Sequence, residues 1–484
     1  MLNLLRSLTE EKAVKLLSLA FFIILLVLLF ASSTTTDEGD SLMHFLYAKY
    51  AFRYPAHFFN QWAKPVYVMV MAPFAQFGFA AVQLVNIFFT TANFYVVYRV
   101  AKQAGIPNAW MASLIYAATP LSVLVSFSGL TEPMFAFATL LSILLLQQKK
   151  FYFSLLLFSF LPFIRSEGLL VCGVIFIYLL VIEKYDLIPL LLFGHIFYSL
   201  TGYFVHHDLM WVFNKLSYAT LSSAYGSGRW FHFFNVMSEI TGVVVKYLLW
   251  AGVFYGFILL IRALRKKINE TEQQELWLLY GIFLAVFAGH IVFWALGIFN
   301  SMGLVRPIAG ITPLIAIIAL RGIQYVTASI QQWKAGLYVQ YLLLAAVLVF
   351  PFTSNVYAYK WNRDFELKAD QQAQLQLVKY IKQHYPNYNQ QIMYHVLPWI
   401  SIQLKQDWFN PNQHIHINDA FTRNQFKKGE LFIWDDWFAV VEGHAPLEAV
   451  RKDGRFKEVI TFEAKDYWGN VRKTVLFEYV GKDE

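Results

Sequence analysis

Asp37, Glu38 and Asp40 place three carboxylates within four residues, in the stretch Thr36-Asp37-Glu38-Gly39-Asp40. The stretch follows an apolar run, residues 13–31, long enough to cross a bilayer as a helix. Carboxylates at the mouth of such a helix are costly unless they are solvated or used. Read alone, the stretch is a solvated turn. It gains weight because Lys64, Glu132, Arg165, Glu167, Arg229 and Arg306 also lie at the ends of apolar runs. Cations of this kind neutralise the oxygens of a phosphate. A carboxylate can take a proton from a hydroxyl or amine that attacks a sugar's anomeric carbon. The same cations would then stabilise a departing lipid phosphate.

The elements that must position these residues are membrane helices. The chain has 484 residues, 58% of them hydrophobic and only 14% charged, with a mean hydropathy of +0.46. A soluble globular protein carries roughly a quarter of its residues as charges, so this is a polytopic α-helical membrane protein. The net charge of +8 comes from bases at the ends of apolar runs, where topology requires them, and does not point to nucleic acid. The single cysteine, Cys172, lies in an apolar run and excludes a disulfide framework or a cysteine metal site.

Arg6, Lys12 and Lys15 precede the first run, which predicts a cytoplasmic N-terminus and puts Asp37, Glu38 and Asp40 outside. Residues 41–54 carry an apolar and aromatic stripe at helical spacing and predict a helix in the outer interface. The run 66–98 is too long for one straight span, and Pro73 and Gly78 are expected to break it. Arg262, Arg265, Lys266 and Lys267 mark a cytoplasmic loop; residues 206–239 read as a long outer loop, and residues 322–334 as a stretch along the inner surface. About eleven spans are expected by the ~20-residue criterion. The composition changes near residue 353, dividing the chain into a membrane domain, 1–353, and a polar domain, 354–484. The second predicts a small α/β fold, with a helix at 366–384 and strands at 391–396, 414–417, 430–434, 456–462 and 471–480. An odd span count places it on the extracytoplasmic side.

The motifs run in a definite order. Asp37-Glu38 follows the first span, then come an aromatic interfacial helix, Lys64-Pro65, Thr131-Glu132-Pro133, Arg165-Ser166-Glu167-Gly168, and Arg306-Pro307 entering a proline-containing span. This order, over residues 13–320, resembles the GT-C glycosyltransferases, in the branch of the protein O-mannosyltransferases and the lipid A aminoarabinose transferases. The resemblance implies an inverting transfer from a polyprenyl-phosphate sugar to a lipid, glycan or protein acceptor. It implies a base at Asp37 with Glu38 beside it, and a lysine at position 64 that helps hold the lipid phosphate. Val66 stands where the family has a second proline, and Ser166 where some members have proline. The implied setting is the cytoplasmic (inner) membrane of a cell with an envelope, with the site on the extracytoplasmic side. Some relatives need a divalent ion, magnesium or manganese, which Asp37, Glu38 and Asp40 could ligate; no metal site or other cofactor is assigned.

Simpler readings stand beside these. Glu132 before Pro133 suits the first turn of a helix, Arg165 and Glu167 suit an ion pair with each other, and Asp40 suits a helix N-terminus. Arg229 suits a headgroup contact, and Arg306 an outer-leaflet snorkeller. His206-His207-Asp208 suits a solvated loop better than a metal site. Two other function classes compete: a transporter or flippase of lipid-linked sugars, and an envelope assembly scaffold. A transporter should carry midplane charges in two related halves, and the sequence displays neither.

Overall fold

A computed structural model describes residues 2–216, 223, 225–328, 334–418 and 426–481. The chain forms two compact units: Met1–Ala31 with Tyr47–Tyr359, and Ser32–Leu46 with Lys360–Glu484. The composition boundary near residue 353 is close to the second junction. It does not reveal that the loop after the first span folds with the C-terminal unit.

Among the described residues of the first unit, seven helices are long and apolar enough to cross a membrane: Thr9–Ala31, Phe79–Gln103, Tyr185–His206, Val243–Leu264, Glu270–Leu296, Arg306–Thr327 and Ala335–Phe352. Pro65–Ala75, Glu132–Gln147, Phe151–Phe163 and Gly168–Val181 are shorter apolar helices. The run expected at 109–127 is broken into Trp110–Ala117 and Pro120–Ser126, because Pro120 opens a new helix. A count of eleven spans therefore includes short and broken segments. The run 66–98 breaks as expected, but at Gly78, whose φ of +103° suits glycine. Pro73 remains inside Pro65–Ala75.

Helix Arg306–Thr327 is the most enclosed span, with 89% of its apolar window buried. It packs on Val243–Leu264 through small residues. A Cβ on Gly322 would lie 1.9 Å from the Leu248 carbonyl oxygen, and one on Gly252 would lie 2.0 Å from that of Ile318. Close backbone approach of this kind is how membrane helices gain contact without a hydrophobic driving force. Residues 322–327 continue this helix rather than leaving it for a membrane surface; residues 329–333 lie outside the described residues. Arg321 is more than a topology marker. It pairs with Glu275 at 2.6 and 2.7 Å, and the carboxylate side chain is only 1% exposed.

The second unit is built on a five-stranded sheet of order β2-β1-β3-β5-β4. The strands are β1 (Met393–Tyr394), β2 (His414–Ile415), β3 (Leu431–Asp435), β4 (Phe456–Lys465) and β5 (Val471–Tyr479). β1 runs parallel to β2 and β3, whereas β3–β5 and β4–β5 are antiparallel. Each expected strand is present, and the expected helix is Ala369–His384. β3 is buried on both faces. Leu431 and Ile433 pack with Leu377, Val378 and Ile381 of that helix, and Phe432 and Trp434 pack with Phe456 and Phe477. The two-residue side-chain period of a strand produces this division.

Candidate functional site

The candidate residues are divided between the two units. In the membrane unit, Arg165 is the centre. Its Nη1 lies 2.7 Å from Glu132 Oε1 and donates to Thr131 Oγ1 at 2.9 Å; its Nε and Nη2 donate to Glu167 Oε1 at 3.2 and 2.7 Å. The side chains of Glu132, Glu167 and Arg165 are 1%, 10% and 15% exposed. All three guanidinium nitrogens are thus engaged by protein oxygens. Arg306 adds a second positive charge acting on Glu132 and Arg165.

Local sequence explains how these groups meet. Asn86 of Phe79–Gln103 donates to the carbonyls of Ser128 and Leu130 at 2.8 and 2.9 Å, and Gln83 donates to Phe127 O at 2.6 Å. Tyr67 donates its hydroxyl to Gly129 O. These bonds fix the turn before Glu132, which starts a helix whose N-terminal dipole favours its charge. Gly168 ends the Arg165-Ser166-Glu167-Gly168 turn where no side chain fits: a Cβ would lie 2.3 Å from the Leu161 carbonyl carbon.

Lys64 joins this turn. Its Nζ donates to Ser166 Oγ at 2.9 Å, linking two motifs 102 positions apart. Ser166, where the resembled family has proline in some members, supplies an acceptor that proline lacks. Lys64 has φ of +67°, an uncommon conformation for a residue with a Cβ, and it precedes the first turn of Pro65–Ala75. Strained backbone of this kind persists where its surroundings hold it and concentrates at functional sites.

His290 escapes a sequence reading. It sits in the middle of an apolar helix, and its Nε2 lies 3.3 Å from Glu167 Oε1, off the line of a good hydrogen bond. The only sequence signal is a lone imidazole in an apolar run. Glu132 Oε2 is buried with no hydrogen-bond partner among the described residues.

Of the six residues expected to bind substrate, Glu132, Arg165 and Glu167 pair with one another, Lys64 joins their turn through Ser166, and Arg306 acts on Glu132 and Arg165 through its charge. Arg229 is exposed, and among the described residues its side chain makes no ion pair with them. His206 Nε2 donates to Phe59 O at 2.9 Å and its Nδ1 accepts from Lys215 Nζ at 3.0 Å, while Asp208 Oδ1 accepts from Met210 N at 2.7 Å, so His206 and Asp208 serve local structure. That loop's residues 217–222 and 224 lie outside the described residues.

The carboxylates of the first loop are in the second unit. Helix Asp40–Tyr50 begins at Asp40, as expected, and Asp37 supports that start: its Oδ1 accepts from Gly39 N at 3.1 Å and Ser41 N at 3.0 Å. Thr36 has φ of +65°, a second strained position beside a candidate site. Burial pushes the Glu38 carboxyl up to about 8, helped by the charges of Asp370 and Asp37 and opposed by Lys368. Among the described residues, no group of three or more His, Cys, Asp or Glu side chains is arranged to hold a metal ion. Asp37, Glu38 and Asp40 do not form such a set.

No family model and no curated protein matches the chain. Its fold does match solved structures. The crystal structure of ArnT from Cupriavidus metallidurans in the apo state aligns with a TM-score of 0.56 and 12% identity, covering 96% of this chain and 98% of that one. The same protein bound to undecaprenyl phosphate aligns with a TM-score of 0.54 and 10% identity, covering 95% and 97%. The chain therefore has, over nearly its whole length, the GT-C fold expected from the order of its motifs.

Proposed function

We propose that this protein is a membrane glycosyltransferase that moves a sugar from a polyprenyl-phosphate donor to an acceptor on the extracytoplasmic side of the cytoplasmic membrane. The observation that carries the reading is the buried cluster Glu132–Arg165–Glu167, tied through Ser166 to the lysine expected to meet a lipid phosphate. Charged groups at such depth in an apolar unit are costly and are retained for use. The shared fold supports the reading, since one of the matched ArnT structures holds undecaprenyl phosphate.

In the proposed reaction an acceptor hydroxyl or amine attacks the anomeric carbon. The bond from that carbon to the phosphate oxygen breaks, and its electron pair leaves with the polyprenyl phosphate. Asp37 takes the acceptor's proton, and Glu38 lies beside it in sequence. Attack from the face opposite the leaving group inverts the anomeric configuration. Lys64 and Arg306 neutralise the departing phosphate. Arg165 has its nitrogens engaged by Thr131, Glu132 and Glu167, so its proposed part is to hold the turn that positions Lys64. The acceptor is a lipid, glycan or protein.

The test is mass analysis of envelope glycans and lipids from cells lacking the protein and from cells given back the wild type, Asp37→Asn or Lys64→Ala. One sugar should disappear from one class of glycoconjugate and return only with the wild type. Lys64→Ala should weaken donor use by about 1.5–3 kcal/mol, the worth of a charge-assisted hydrogen bond. Identical glycans and lipids in all these cells would overturn the reading.

A further inference from the structure

The loop that carries Asp37 and Glu38 is fastened to the C-terminal half of the chain at several points. Ser33 N donates to Phe365 O at 2.9 Å, and Leu367 N donates to Ser33 Oγ at 3.2 Å. Two residues after Ser33, Thr35 Oγ1 accepts from Gln371 Nε2 at 2.9 Å, across 336 positions of sequence. Thr35 and Gln371 are 3% and 0% exposed. Ser41 Oγ donates to Thr35 O at 3.0 Å, which ties the start of helix Asp40–Tyr50 to the same point. Gly39 packs against Phe438, whose ring would stand 3.3 Å from an added Cβ. Gln371 lies in the first turn of Ala369–His384, which is packed on the sheet through Leu377, Val378 and Ile381. Buried polar pairs of this kind specify one geometry, because a partner left alone has no water to replace what it loses.

We propose that Thr35 and Gln371 are positioning residues for the transfer reaction: through this pair the C-terminal domain sets the angle at which Asp37 and Glu38 meet the acceptor. The inference rests on the glycosyltransferase reading above. It gives the sheet domain a part in turnover and none in donor affinity, since neither residue is among those assigned to the phosphate.

The test uses the full-length protein in membranes supplied with native acceptors and polyprenyl-phosphate sugars extracted from the native membrane, whose consumption is followed at varied concentration. Thr35→Val keeps the side chain's shape and removes its hydroxyl. Displacement of a reacting group by about 1 Å can cost up to ~10²-fold in rate, so kcat should fall about tenfold or more while the donor KM stays at the wild-type value. Thr35→Ser restores the hydroxyl and should recover most of the loss. Thr35→Val combined with Gln371→Leu should be little worse than either alone, as for two partners of one contact. Gln371→Asn keeps the amide but withdraws it by one methylene; if Thr35→Val does not fold, this variant should show the same fall in kcat. Wild-type kcat in Thr35→Val or Gln371→Asn, or a loss confined to donor KM, overturns the inference. Asp37→Asn runs alongside. If it is inactive while Thr35→Val is normal, only the positioning role fails; if it is fully active, the glycosyltransferase reading fails first.

Discussion

Arg165→Ala removes the one cation that both buried carboxylates contact directly. Glu132 and Glu167, whose side chains are 1% and 10% exposed, would lose this contact; Glu167 would keep only the His290 imidazole at 3.3 Å, and Glu132 would keep no ion pair at contact distance among the described residues. Removing one member of a buried pair costs about 3–5 kcal/mol, because the other charge is left uncompensated. Arg306 acts on Glu132 and offsets part of this, so the lower end, about 3 kcal/mol, is the expected loss. That is a shift of roughly 10²-fold towards unfolded forms. The assay is the melting temperature and folded yield of the full-length protein extracted from membranes. Arg165→Ala should melt several degrees lower and be recovered poorly. The triple variant Glu132→Gln/Arg165→Met/Glu167→Gln carries no buried charge in the cluster and should regain most of the stability, without regaining transfer. Wild-type melting and yield in Arg165→Ala would refute the claim that this residue holds the turn.

Other perturbations separate roles that share a residue. Asp37→Asn retains an Oδ1 that can accept from Gly39 N and Ser41 N, so stability should be unchanged; Asp37→Ala loses those bonds and should cost about 1 kcal/mol, the usual worth of an N-cap, measurable by thermal melting. Gly168→Ala forces a Cβ towards the Leu161 backbone and should destabilise the membrane unit by about 1–3 kcal/mol, read as a lower melting temperature. Glu38 has a folded-state pKa of about 8, raised above the ordinary carboxylate value. The folded form then binds more protons than the unfolded form between the two values, so stability falls as pH rises through that window and is level above about 8. Hydrogen exchange in the C-terminal unit should quicken over that range, and Glu38→Gln should remove most of the dependence; an unchanged pH profile in Glu38→Gln would contradict the assignment.

Much of this arrangement was legible in the sequence. Lys64, Glu132, Arg165, Glu167 and Arg306 are each a charge at the end of an apolar run, and burial makes Glu132, Arg165 and Glu167 pair with one another. The C-terminal strands were legible from alternation and β-branched or aromatic content. Other features were not. His290 is a single polar residue in an apolar helix, and nothing local distinguishes it from a core histidine. Arg321 stands at the end of an apolar run like any topology-setting base, and its partner, Glu275, lies 46 positions away, beyond any local pattern. The attachment of residues 32–46 to the C-terminal unit depends on pairs more than 330 positions apart, such as Thr35 with Gln371; no periodicity records that. Arg229 looked like the other candidates, yet its loop leaves it exposed.

The most direct test of the central claim follows the donor itself. Membrane vesicles bearing the wild-type protein, Asp37→Asn or Lys64→Ala would be supplied with polyprenyl-phosphate sugars extracted from the native membrane together with native acceptors, and free polyprenyl phosphate would be quantified over time by mass spectrometry. The wild type should convert one lipid-linked sugar to free polyprenyl phosphate, and Asp37→Asn should do so about 10²-fold more slowly, as for loss of a positioned general base. Release of polyprenyl phosphate at the same rate in the wild type and Asp37→Asn, or no release above protein-free vesicles, would contradict the account.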